Sequence, residues 1–161
     1  MRRARKVAVE TIKRRDRDGY KELPFDSDLY PEYYLRNFHY QTDGWLSSDS
    51  AKVYEFQTET LFLGAQDAMQ RHTFIPTHLH LQKEQNKMRK EESFKVLEVA
   101  GGTGRVMTFF RDNYPQMDAT FLELSPYYLE EAKKNDESFR RYFKRSDPRA
   151  NNIEMSPLKL V

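Results

Sequence analysis

The sequence predicts an α/β fold built on parallel strands. Three observations lead there. A short apolar run, Lys95-Val96-Leu97-Glu98-Val99, opens directly into a glycine-dense turn, Ala100-Gly101-Gly102-Thr103-Gly104. An amphipathic helical pattern follows the turn. A second apolar run, Ala119-Thr120-Phe121-Leu122-Glu123-Leu124, then places an acid 21 residues beyond Gly102. Strand, glycine turn, helix and strand in that order read as the start of a nucleotide-binding sheet.

The elements follow along the chain. Residues 1–18 form a charged arm compatible with a helix. Residues 19–50 are loop-rich, with Pro24, Pro31, Gly44 and many turn-forming Asp and Ser residues. Tyr30, Tyr33, Tyr34, Phe38, Tyr40 and Trp45 cluster there. Large aromatics bury the most area, so packing of this extension against the core is the expectation. A lid over a cofactor or substrate is the functional alternative. Ser50 is placed to cap a helix from Ala51 to about Leu63, broken near Gly64, with Val53, Phe56 and Leu61 on its inner face. A second helix is expected from Ala65 to about His72. Residues 82–92 are a mostly polar run leading into the strand at Phe94.

Val96 to Val99 is apolar enough to be covered on both faces. Gly101, Gly102 and Gly104 permit a sharp turn and keep side chains away from a ligand. The next helix runs from Val106 to about Asn113, with Val106, Phe109 and Phe110 at helical spacing, and its free N–H groups face the turn. Asp118 to Leu124 is the second strand. Ser125 caps a following helix with Pro126 at its first position, running through Tyr128, Leu129 and Ala132 towards Phe139. Leu158 to Val161 reads as the opening of a third strand. The expected organisation is a helical, aromatic-rich extension over residues 1–93 and a sheet unit over residues 94–161.

Composition narrows the class. The 161 residues are 38% hydrophobic, 32% charged and 14% aromatic, and this aromatic content argues against disorder. There are no cysteines, which excludes disulfides and thiolate metal sites and allows a reducing compartment. No apolar run approaches a membrane span. The formal net charge is only +2, so nucleic acid is not an expected partner. Two clusters are nonetheless basic. Residues 1–18 hold eight basic side chains against three acids, and residues 133–149 hold seven against three. Both read as solvated faces, with contact to an acidic partner or RNA as the functional alternative. His78 and His80 would share a face if they lay on a strand, but no third ligand accompanies them and no metal site is expected. His39, within the aromatic cluster, lacks an evident partner for a general base.

The turn also limits the ligand. From Gly102 the order is Gly-Thr-Gly-Arg-Val-Met, without the third glycine of a dinucleotide fingerprint. The lysine and hydroxyl of a P-loop are missing too. An acid about 20 residues past the turn suits two ribose hydroxyls. These features fit a cofactor with adenosine and no pyrophosphate.

Glu98-Val99-Ala100-Gly101-Gly102-Thr103-Gly104 resembles motif I of class I S-adenosylmethionine-dependent methyltransferases. Leu122-Glu123-Leu124-Ser125-Pro126 resembles their second-strand motif. The usual first glycine is Ala100 here, and this form is similar to that of the ubiquinone and menaquinone biosynthesis methyltransferases. Residues 37–47 and 66–71 resemble the N-terminal extension of methyltransferases of plants and algae. The matches span most of residues 30–132.

The resemblance implies an incomplete Rossmann-like methyltransferase fold, preceded by the helical extension and breaking off near its third strand. It implies S-adenosylmethionine as cofactor. Glu123 would hold the ribose hydroxyls. Ala100, Gly102 and Gly104 would let the backbone pass under the methionine part, with Gly101 and Thr103 completing the turn. Glu98 would order the turn near the cofactor's amino group. Leu124 and Ser125 would lie beside the adenine–ribose edge. The implied activity is methyl transfer to an acceptor that these residues do not identify, and no catalytic residue is assigned. The implied compartment is intracellular, either cytoplasm or plastid stroma. The alternative is a non-catalytic subunit that keeps part of the fold for assembly. A parallel sheet needs several strands and both faces covered, so the 161 residues alone are expected to be neither a stable monomer nor active. A protein partner or further residues are expected against the edge of the Val96–Val99 strand.

Overall fold

A computed structural model describes residues 30–35, 44–85, 94–146 and 159–160. The charged arm, Phe38, His39, Tyr40, most of the 37–47 motif and the end of the polar run lie outside them. The order is a short 3-10 turn Glu32–Leu35, α1 Ser48–Leu61, α2 Gln66–Arg71, α3 Phe74–Gln85, β1 Lys95–Val99, α4 Arg105–Asn113, β2 Asp118–Leu122, α5 Pro126–Ser146 and β3 Lys159–Leu160.

The three strands form one parallel sheet in the order β1-β2-β3. Val96 lies opposite Ala119, Glu98 opposite Phe121, and Phe121 opposite Leu160. Paired residues in a parallel ladder share a face. That face carries Val96, Ala119, Phe121 and Leu160, and it packs on Met107 of α4 and on Leu129 and Ala132 of α5. Met117, Phe94, Phe110 and Tyr114 close the same core.

The expectation that β1 is covered on both faces is corrected. Leu97 and Val99 point the other way and remain 62% and 61% exposed. The cause is topological. Successive strands are added in one direction, and crossovers of one hand then return on one side of the sheet. Both α4 and α5 therefore lie on the same face.

Helix starts and faces differ in detail from the expectation. Ser47, not Ser50, caps α1: its backbone is extended and its Oγ accepts the Ser50 N–H at 3.2 Å. Ser50 is inside the helix and its hydroxyl is 3.2 Å from that of Tyr128 on α5. The inner face of α1 is Ser50 and Ala51, whereas Phe56 and Leu61 are exposed. Small side chains let α1 approach α5 closely, and the Tyr54 and Tyr128 rings complete the contact at 5.3 Å.

The segment Phe74–Gln85 is helical, and its Pro76 falls in the first turn, where a missing N–H costs nothing. His78 and His80 therefore diverge around a helix axis and do not share a strand face. His78 Nδ1 instead contacts the Tyr114 hydroxyl at 2.8 Å, and Phe74 stacks on Phe110 at 4.4 Å. α2 is tied to α4 through Arg105, whose Nε donates to Asp67 at 3.0 Å. The N-terminal helices are thus clasped to the two helices that cover the sheet.

Ser125 and Pro126 start α5 as expected. Ser125 Oγ accepts the Tyr128 N–H at 3.2 Å. α5 continues beyond the expected Phe139 to Ser146. α4 buries Met107 and Arg111, with Val106, Phe109 and Phe110 half-buried at its flanks. Arg111 Nε lies 2.9 Å from Asp136 of α5.

Candidate functional site

The glycine turn is fixed from three sides. Below it, the N–H groups of Ala100 and Gly101 both donate to the Leu122 carbonyl, at 2.8 and 3.4 Å. This ties the end of β1 to the end of β2. Within it, Gly104 N–H donates to Gly101 O at 3.1 Å. Behind it, Asn135 Nδ2 of α5 donates to the Thr103 carbonyl at 2.9 Å.

The residues of the turn have different duties. The left-handed positions are Ala100, Gly102 and Gly104, with φ of 57°, 63° and 79°. Gly101 is not among them, which corrects the expectation for that residue. Gly101 serves close approach: a Cβ there would lie 2.2 Å from the Phe121 ring. The Phe121 ring thus fills the space beneath the turn. Ala100 bears mild strain that a glycine would not, since a left-handed conformation crowds its Cβ against the following carbonyl.

Glu123 lies just past β2, beside the turn. Its Oε2 accepts the Gly102 N–H at 2.8 Å. Its Oε1 accepts the Ser125 N–H at 2.9 Å and the Tyr34 hydroxyl at 3.1 Å. The predicted spacing between Gly102 and Glu123 is thus a direct contact. Ser125 is fully buried and its hydroxyl is committed, donating to the Trp45 carbonyl at 2.6 Å while capping α5. That hydroxyl supports the site rather than facing a ligand. Leu124 is exposed at the rim.

Glu98 extends from the helix-covered face of β1 up to the turn, its carboxyl carbon 3.0 Å from where a Gly101 Cβ would sit. Its Oε2 is buried with no hydrogen-bond partner among the described residues. Burial first, then the nearby Glu123 charge, pushes its pKa up to about 7, opposed by the Met107 backbone N–H. An open groove of about 570 Å³ runs along the edge of β1 between Leu81, Phe94, Val96 and Phe110, and Glu98 also reaches it.

An aromatic roof covers Glu123. Tyr34 stacks between Tyr30 at 5.6 Å and Trp45 at 6.2 Å. Trp45 meets Tyr54 at 5.9 Å and Tyr128 at 5.4 Å. The Tyr54 ring lies 3.7 Å from where a Gly102 Cβ would be. Burial raises the pKa of the Tyr34, Tyr54 and Tyr128 phenols above the ordinary value, so they stay protonated. None of these aromatic residues was read from the sequence as a site residue. Tyr34 was visible only as part of an aromatic cluster. Glu55 of α1 also reaches the turn, accepting a hydrogen bond from the Thr103 hydroxyl and one from Gln66 Nε2 at 3.4 Å.

The turn is therefore lined by three carboxylates whose hydrogen-bond donors are neutral. The nearby guanidinium of Arg105 is engaged by Asp67.

None of the protein-family models, curated proteins or solved structures compared with the chain matches it.

Proposed function

We propose that this chain binds S-adenosylmethionine at the Ala100–Gly104 turn and belongs to an enzyme that transfers the methyl group to an acceptor not yet identified. The observation that carries the reading is the acid-lined glycine turn. Glu55, Glu98 and Glu123 surround a backbone loop that in phosphate-binding proteins would instead face a lysine. Such a site repels phosphates and favours a ligand with positive charge. S-adenosylmethionine carries a sulfonium and an ammonium, and when bound it supplies an electrophilic methyl group. Glu123 is placed for ribose hydroxyls. The absence of a side chain at Gly102 beneath the Tyr54 ring suits the methionine part, and the Glu98 carboxyl suits its ammonium. Ser125 and Asn135 hold the loop in shape from behind.

Calorimetric titration of the full-length protein tests the proposal. S-adenosylmethionine and its demethylated product should bind, whereas ATP and NAD should not. Glu123→Ala should cost about 1.5–3 kcal/mol for each charge-assisted hydrogen bond lost. Equal affinity of wild type and variant would exclude the role given to Glu123, and an absence of wild-type binding would end the cofactor reading.

A second reading has one observation in its favour. The uncovered Leu97–Val99 face of the sheet suits a chain that assembles with another protein. In that case the fold would act as a non-catalytic subunit, and titration would show no cofactor binding.

A further inference from the structure

The donors on Glu123 lead to a consequence for how a ligand enters. A carboxylate offers about four acceptor positions. Three are already taken, by Gly102 N–H, Ser125 N–H and the Tyr34 hydroxyl. A ribose diol needs two. The two N–H groups belong to the turn and to the start of α5, and cannot leave without unmaking both. Tyr34 can leave. It sits on a 3-10 turn of four residues and reaches the site across 89 residues of sequence.

We propose that Tyr34 is an internal latch: its hydroxyl occupies the ribose-diol position on Glu123 in the ligand-free protein, and ligand entry requires Tyr34 to swing away. The inference rests on the reading of Glu123 as a ribose-binding residue. The latch is well made for such a role. Tyr34 is 8% exposed, so its ring closes the site as well as its hydroxyl. Its ring rests between those of Tyr30 and Trp45, and its hydroxyl meets Glu123 at 3.1 Å with the Ser125 side chain as a second hydrogen-bonding neighbour. Burial and the Glu123 charge both keep the phenol protonated, so it remains a donor throughout the ordinary pH range. Opening would expose the stacking face of Trp45 at the same place, giving an adenosine-bearing ligand an aromatic surface in exchange for the lost Tyr34 contact.

The test uses Tyr34→Phe, which keeps the ring and its stacking and removes only the hydroxyl. Tyr33→Phe is the control, because Tyr33 is exposed beside it. Hydrogen–deuterium exchange of residues 30–35 in the ligand-free full-length protein is the first readout. Tyr34→Phe should exchange several-fold faster than wild type there, and Tyr33→Phe should not. The second readout is titration with S-adenosylhomocysteine, which cannot react. Tyr34→Phe should bind it about three- to tenfold more tightly than wild type, because one competing hydrogen bond is gone. Unchanged exchange in Tyr34→Phe overturns the latch whatever binds. Weaker ligand binding by Tyr34→Phe also overturns it, and would make Tyr34 a ligand-holding residue instead. If no protein binds the ligand while exchange rises in Tyr34→Phe, the Tyr34–Glu123 contact holds residues 30–35 in place, but the cofactor reading fails and the role of Tyr34 in ligand entry is overturned with it.

Discussion

At Glu98 the chain buries a carboxyl that its own residues do not fully serve, and this has a pH signature. Its folded-state pKa lies at about 7 against an ordinary 4.5. Between those values the folded protein holds a proton that the unfolded chain has released. Its contribution to stability is therefore fully present below pH 4.5 and is lost as pH rises through about 7, a loss of about 3 kcal/mol. Glu98→Gln should flatten this part of the stability profile and be more stable than wild type at pH 8. Denaturant melts at a series of pH values read it directly; an unchanged slope in Glu98→Gln would assign the effect to other groups. At this scale the sequence was informative where chemistry has a spacing. The distance from Gly102 to Glu123 in sequence became a hydrogen bond of 2.8 Å. Tyr34 and Glu55 had no such mark, because contacts across 89 and 48 residues are set by how the extension docks, not by local pattern.

Between elements, the contact that sequence reading placed on the wrong side of the surface is Arg111–Asp136. Asp136 counts among the acids of a basic, apparently solvated stretch, yet it is 7% exposed and Arg111 is fully buried. Burial lowers the pKa of Arg111 and raises that of Asp136, each by disfavouring its charge. Together they join α4 to α5 beneath the site. Removing Asp136 takes away the carboxylate that Arg111 Nε meets at 2.9 Å in the buried interior, which costs about 3–5 kcal/mol. Asp136→Ala should therefore lower stability by that order. The double change Arg111→Met with Asp136→Leu should recover most of it, since no charge then remains to be desolvated. Chemical denaturation of the three variants and wild type decides; a double variant as unstable as the single one would sink the argument. The same scale shows why β1, α4, β2 and the start of α5 were legible while α3 and the inner face of α1 were not. Strand, glycine turn and cap each obey a local rule. The face of α1 is chosen by Ser50 and Ala51, small residues that carry no hydrophobic periodicity, and α3 hides behind Pro76, His78 and His80.

For the whole molecule the governing feature is one-sidedness. Among the described residues, the helices that pack on the sheet lie on the face of Val96, Ala119 and Phe121. The opposite face presents Leu97, Val99 and Leu122 to solvent. β1 is an outer strand with β2 as its described neighbour, so its far edge carries peptide groups able to take another strand. Apolar faces of this kind mark contact with another protein surface or drive association of the chain with itself. The 161-residue chain expressed alone should therefore self-associate and bind a hydrophobic dye. Substituting Leu97 and Val99 by threonine should reduce both, because threonine keeps strand preference while removing apolar area. The Glu98 side of the strand faces the other way, so the same double variant should leave the turn and its ligand affinity intact. Light scattering and dye fluorescence on wild type and Leu97→Thr/Val99→Thr are the measurements. A wild-type chain that is monomeric, dye-silent and cooperative on heating would show that the exposed face needs no cover, and the case for an assembling partner would fall with it.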